Sequence, residues 1–270
     1  MIRIGCIIPG GSFMPQGEKS VSRAFTVIRE GSKFLIDSGF DFVEISCGML
    51  MELTEEELDS LVGRVRIEAT NCFIPNRYQL LGDRTGVEDY LDACMRRMKM
   101  LGADTVVFGS GGARMLPAGM PKEEGYKRIV SFLQLCEPFC EKYGVTVVIE
   151  PLNAPEAKCE FMNLVSECYG IQQAADRPHI KLLADVYHMA VMKEPIGVFH
   201  DVKDALHHVH VSEPDRKCPG TGTTDYIPNV IKTLKEIGYD RRITAECGFN
   251  DFFKDAPKAA EYLRRLVEEQ

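Results

Sequence analysis

The chain has 270 residues, 45% of them hydrophobic and 27% charged, the balance of a globular protein long enough to bury a sizeable core. Its 32 Lys and Arg against 40 Asp and Glu give a formal net charge of −8, and no Lys/Arg-rich run occurs, so a nucleic-acid backbone would meet net repulsion. No apolar stretch approaches the roughly 20 residues of a membrane-spanning helix.

Short β-branched runs alternate with longer stretches of helical periodicity along the whole chain. Arg3–Ile8 is read as a first strand, because it lacks the basic region and cleavage site of a secretory signal. Helix Ser20–Ser38, strand Phe42–Ser46, helix Thr54–Gly63 and strand Arg66–Cys72 follow. The longest non-periodic piece, Asn71–Thr85, is expected to be a loop over the mouth of the sheet. Helix Gly86–Gly102, strand Thr105–Gly109, helix Pro121–Tyr143 and strand Val145–Glu150 come next, then helix Phe161–Asp176 and strand Ile180–Asp185. Helix Ile196–Ala205, strand His207–Val211, helix Tyr226–Gly238, strand Arg242–Glu246 and helix Asp251–Glu268 complete the series. Gly39, Gly102, Gly144 and Gly238 each stand between a helix end and a strand, the position of a left-handed C-cap. Eight βα units of about 34 residues predict a (β/α)8 TIM barrel, and with no Pro/Ser-rich linker it occupies 1–270 as one domain. The ten cysteines are scattered through apolar segments without a C-x-x-C pair, so a reducing cytoplasm is the expected location.

In such a barrel the chemistry sits at the C-terminal ends of the strands. Strands five, six, seven and eight end in Glu150, Asp185, His208-Val209-His210 and Glu246. Alone, a Glu at a strand end is ordinarily a solvated loop group. Of His208 and His210, one is expected to be satisfied in the core, and His200 and His207 read as surface or packing residues. Three carboxylates converging on one mouth repel each other, and a divalent cation removes that difficulty. An oxygen-rich set with one imidazole suits Mn²⁺, Mg²⁺ or Co²⁺. The glycine runs 109–112 and 219–222 are read as turns, although both offer backbone N–H groups to a phosphate, which leaves a phosphorylated substrate open.

The segments Glu150-Pro151-Leu152-Asn153, Asp185-x-x-His188-Met189, His208-Val209-His210-x-x-Glu213-x-x-Arg216, Pro219-Gly220-Thr221-Gly222 and Glu246 resemble the sugar phosphate isomerase/epimerase superfamily of xylose-isomerase-like barrels. Within it they are most similar to ketose 3-epimerases of the D-tagatose/D-psicose type. The resemblance implies that Glu150, Asp185, His210 and Glu246 bind one metal ion, Mn²⁺ first among the candidates. Glu150 and Glu246 would also be the acid/base pair, and His188, Arg216 and Glu156 would contact substrate hydroxyls. It further implies a small-molecule sugar substrate and a homo-oligomer, dimer or tetramer. The chemistry agrees: C3 epimerisation removes a proton α to the C2 carbonyl, passes through a cis-enediolate stabilised by a Lewis acid, and needs a base on each face.

Two departures stand out. Ala154-Pro155 replaces the Arg-Phe expected after the Asn, which bears on Glu156, and the chain has no Trp to line a sugar site, leaving Phe13, Phe73 and Tyr78 as aromatic candidates. Hydroxypyruvate isomerase and inosose dehydratase remain alternatives of similar chemistry. An abasic-site endonuclease with three zinc ions lacks its ligands, since no histidine precedes position 179, and a metal-free sugar-binding barrel is disfavoured by the complete ligand set.

Overall fold

The computed structural model describes residues 1–9, 23–157 and 161–269. Eight parallel strands close in sequence order into a barrel: β1 Arg3–Ile7, β2 Phe42–Ser46, β3 Ile67–Asn71, β4 Thr105–Phe108, β5 Thr146–Ile149, β6 Ile180–Asp185, β7 Leu206–Val211 and β8 Arg242–Ala245. β8 pairs back onto β1 through Arg3↔Arg242 to Cys6↔Ala245, so no edge is left open. The predicted strands are all present, each shifted by two residues or fewer at its ends.

Helices cover the outside because each carries one apolar face. In α1 (Arg23–Asp37) the buried positions Ala24, Val27, Ile28, Gly31 and Leu35 follow the helical repeat. α4 (Val87–Leu101) buries Val87, Tyr90, Leu91, Cys94, Met95 and Met98 in the same way, and α5 runs Lys122–Tyr143. α11 (Phe252–Glu268) buries Phe252, Ala256, Ala259, Ala260, Leu263 and Val267, and burying Leu263 and Val267 is worth roughly 1.5–3 kcal/mol each. The four glycines expected to end helices all adopt positive φ, between 69° and 103°.

Several short elements depart from the expected pattern. α2 (Cys47–Glu52) is an added helix after β2 and α6 (Ala154–Ala157) one after β5, while α3 (Glu55–Leu61) falls within the predicted Thr54–Gly63. α7 (Val165–Ala175) starts four residues later than predicted. α8 (Val186–Met192) begins directly after β6, where the sequence shows only a continuing apolar run, and α9 (Val198–Val202) keeps five residues of the predicted Ile196–Ala205. α10 is Tyr226–Glu236. Residues 20–22, the predicted start of the first helix, lie outside the described residues, as does Phe13.

Inside the barrel, alternate residues of β8 climb from floor to mouth. At the floor Arg242 meets Glu68 Oε2 at 3.2 Å, Thr105 Oγ1 at 2.7 Å and Asp104, while Arg3 takes Glu68 Oε1 at 2.5 Å. The fully buried ring of Phe42 lies above this layer, with the Arg3 and Arg242 guanidinium carbons 5.6 and 5.8 Å from its centroid and the His208 ring 6.4 Å away. Thr244 stands one step higher and bonds His208 Nε2 at 3.0 Å. Above that is the mouth, where the next alternate residue is Glu246.

Candidate metal centre

Each of the four residues implied as ligands arrives from a different strand. Glu150 directly follows β5, Asp185 ends β6, His210 lies on β7 and Glu246 directly follows β8. Each offers one ligand atom, and these atoms all lie within 4.8 Å of one another. Asp185 and His210 are 1% exposed, whereas Glu150 and Glu246 border an open cavity of about 560 Å³ together with His188, Arg216, Asn71, Cys72 and Gly109. Gly109 leaves space for Glu150: a Cβ there would stand 2.1 Å from Glu150 Oε2.

Asp185 is also the N-cap of α8, and its Oδ1 accepts from the backbone N–H groups of Tyr187 at 2.8 Å and His188 at 3.3 Å. That leaves Oδ2 for the cluster. Arg216, held at a positive φ of 65°, bridges Asp185 Oδ2 at 2.9 Å and Glu246 Oε2 at 3.1 Å, with its guanidinium 4.7 Å from the centre of the Tyr187 ring. Burial and the neighbouring Glu246 push the Asp185 carboxyl well above the usual range. Burial would also raise Glu246, yet the His210 imidazole and Arg216 bring it down to about 2.

His210 is gripped from below. Its Nε2 lies 3.1 Å from Glu44 Oε1, and the same carboxylate contacts His208 Nε2 at 3.1 Å and accepts from Asn71 Nδ2 at 3.0 Å. Burial alone would raise Glu44, but the two imidazoles more than offset this and keep it ionised. An ionised carboxylate only accepts, so His210 donates from Nε2 and turns Nδ1 to the mouth. There Nδ1 is 2.8 Å from Glu246 Oε2 and 3.4 Å from Glu150 Oε1. Nδ1 and Glu246 Oε2 are buried, and beyond these ion-pair contacts neither makes a well-directed hydrogen bond. Converging nitrogen and carboxylate donors of this kind fit a divalent cation.

The remaining predicted site residues separate into two groups. His188 and Arg216 line the cavity. Glu156 is exposed and is not among the residues that line it, with Oε1 receiving the Tyr187 hydroxyl and Oε2 receiving Asn153 Nδ2 at 3.1 Å. Phe73 and Tyr78 do not face the cavity, which corrects the expectation of an aromatic lining from them: Phe73 is fully buried, and Tyr78 packs on Tyr90 and Arg77. The 72–86 loop supplies Cys72, Ile74, Pro75 and Asn76 to the rim, as a loop over the mouth should. His208 is the core histidine of its pair. Glu44 was not singled out in the sequence, although a Glu between Val43 and Ile45 in a strand is a signal of a buried charge.

A second hollow of about 600 Å³, between Tyr169, Arg177, Lys181 and Asp204, lies at the opposite end of β6 and brings no ligand cluster together among the described residues.

The sequence model of one family, the xylose isomerase-like TIM barrel, matches residues 33–267. The chain is 26% identical over 215 residues to the 3-dehydro-D-guloside 4-epimerase of Escherichia coli (strain K12), a match covering 74% of this chain and 79% of that one. It is 26% identical over 126 residues to the D-psicose 3-epimerase of Ruminiclostridium cellulolyticum, covering 46% and 42% of the two chains. A solved D-psicose 3-epimerase with D-tagatose, from Clostridium cellulolyticum H10, superposes with a TM-score of 0.81 at 16% identity over 99% of this chain and 100% of that one, a likeness of fold. No helix among the described residues is long and apolar enough to cross a membrane.

Proposed function

The chain belongs to the xylose isomerase-like TIM barrel family, and from that premise we propose that it is a metal-dependent carbohydrate isomerase, with C3 epimerisation of a ketose as its reaction. The observation that carries the reading is the division within the ligand cluster. Asp185 and His210 are sealed below, whereas Glu150 and Glu246, from β5 and β8, are the two members that also border the open cavity. Relatives named as sugar epimerases support the same class.

A divalent cation held by Glu150, Asp185, His210 and Glu246, Mn²⁺ before Mg²⁺ or Co²⁺, would supply Lewis acidity to the substrate oxygens. The chain's own groups do the rest. One glutamate takes the proton from C3, the C–H electron pair moves toward the C2 oxygen to give a planar enediolate, and the other glutamate delivers a proton to the opposite face. Arg216 and His188 offer donors to the substrate oxygens from the cavity wall, and Glu156 is tied to that wall through Asn153. We place the protein in the cytoplasm, a reading supported by the free thiols of all nine described cysteines.

The test is solvent-deuterium uptake in D₂O into a panel of free and phosphorylated ketoses and hydroxypyruvate, with Mn²⁺-loaded protein and an EDTA-treated control. Label at C3 that depends on the metal is the expected result. Label at C1 would shift the assignment to aldose–ketose isomerisation, and no label from any substrate would reject enolisation of these sugars.

A further inference from the structure

His188, on α8, is 8% exposed and presents one ring edge to the cavity and the other to Asn153, which is fully buried behind it. Two donors of Asn153 converge on His188 Nδ1: its backbone N–H at 3.2 Å and its side-chain Nδ2 at 2.7 Å. A backbone N–H can only donate, so Nδ1 is the unprotonated nitrogen and the proton of the neutral ring sits on Nε2. The amide cannot be turned round, because Asn153 Oδ1 accepts the backbone N–H of Glu156 at 3.0 Å and Nδ2 also serves Glu156 Oε2 at 3.1 Å. Nε2 points away from Asn153, 3.7 Å from Asp185 Oδ2.

We infer that Asn153 is a positioning residue that fixes His188 as the Nε2–H tautomer, so that the ring donates a hydrogen bond to an oxygen of the bound sugar and takes no proton from carbon. The identity of that oxygen's owner rests on the sugar-enolisation reading above; the tautomer does not. A neutral donor held in place before the reaction favours negative charge developing on the C2 oxygen, and it leaves both proton transfers to Glu150 and Glu246.

Long-range ¹H–¹⁵N correlation spectra of the full chain with Mg²⁺, a diamagnetic ion, test this, with His188→Gln used to assign the ring. The expected spectrum has a protonated, pyrrole-type Nε2 and a pyridine-type Nδ1 at neutral pH. A proton on Nδ1 of the wild-type chain would overturn the inference. Asn153→Asp keeps the size of the side chain but sets a carboxylate against Nδ1, and the pyridine-type signal should be lost as Nδ1 acquires a proton. A variant whose His188 spectrum matches the wild type would remove Asn153 from the role. Should that variant not fold, scalar coupling across the Asn153 N–H···Nδ1 bond in the wild-type chain decides the point, and its absence rejects the inference. If deuterium uptake fails while the tautomer stands, the sugar reading falls alone.

Discussion

At the floor of the barrel Arg3 and Arg242 face Glu68 and Asp104, two cations against two carboxylates, and each is engaged. At the mouth Glu150, Asp185 and Glu246 face one permanent cation, Arg216, and two buried atoms of the cluster make no well-directed hydrogen bond. The two ends share β8, along which Arg242 and Glu246 stand four residues apart. The difference separates charge that closes a structure from charge held in excess for something to be added, which accords with the division of labour between the two faces of such barrels.

The largest effect that would sharpen this contrast is on turnover. Glu246→Gln keeps the shape of the side chain and removes its basicity, so kcat should fall by about 10²–10⁴-fold with the fold intact by circular dichroism. Full activity in steady-state assays would strip Glu246 of its role.

Removing the ion comes next. With the cation at about 100 times its Kd, chelation should cost about 2.7 kcal/mol, a drop of roughly 5–10 °C in Tm for a chain of this size. The loss should also depend on pH. Burial and Glu246 raise Asp185, and His210 is raised by Glu44 and Glu246 although burial alone would lower it. The metal-free fold therefore keeps protons that the unfolded chain releases near about pH 4 and about pH 6.5. The stability they contribute is present below those values and is lost as pH rises through the folded ones. Calorimetric scans from about pH 7 to pH 8, above the range in which unfolding lets His188, His207 and His208 take up the protons that burial denies them, should show Tm falling in EDTA and holding with Mn²⁺. Parallel curves would break the picture of a mouth that waits for charge.

Glu44→Gln attacks the support of the mouth from beneath. Losing the acceptor that keeps His210 Nδ1 turned upward should weaken Mn²⁺ binding by about 10–100-fold in titration calorimetry. Unchanged affinity would make Glu44 a packing residue only. The smallest effect belongs to the floor: Arg242→Met should lower stability by about 1–2 kcal/mol in urea unfolding and leave metal affinity unaltered. A floor substitution that altered metal binding would erase the distinction between the two ends.

The sequence made the architecture legible because a parallel barrel writes itself as repeated βα units, and β2 and β6 match their predicted limits to the residue. Boundaries were lost where conformation turns on one residue. Cys72 was counted into β3, but its φ of 51° is left-handed and ends the strand one residue earlier. α8 was hidden because Val186-Tyr187-His188-Met189 continues an apolar run, and periodicity over so few residues does not separate strand from helix. The candidate ligands stood out because strand ends are where a barrel places its chemistry. Glu44 did not, and Asn153 stood in a quoted segment without a role, since what each does depends on an imidazole at least 35 positions away in the chain.

The Phe42 ring, with guanidinium groups beneath it and His208 beside it, is a stopper across the barrel axis. Among the described residues, any ion held by the four strand-end ligands therefore has a single door, and it is the one through which a substrate enters. Traffic through one door is ordered: the ion boards first and disembarks last, and an occupied cavity locks it in. Metal exchange measured with saturating sugar should accordingly slow, even though the sugar lies on the solvent side of the ion and the floor is untouched.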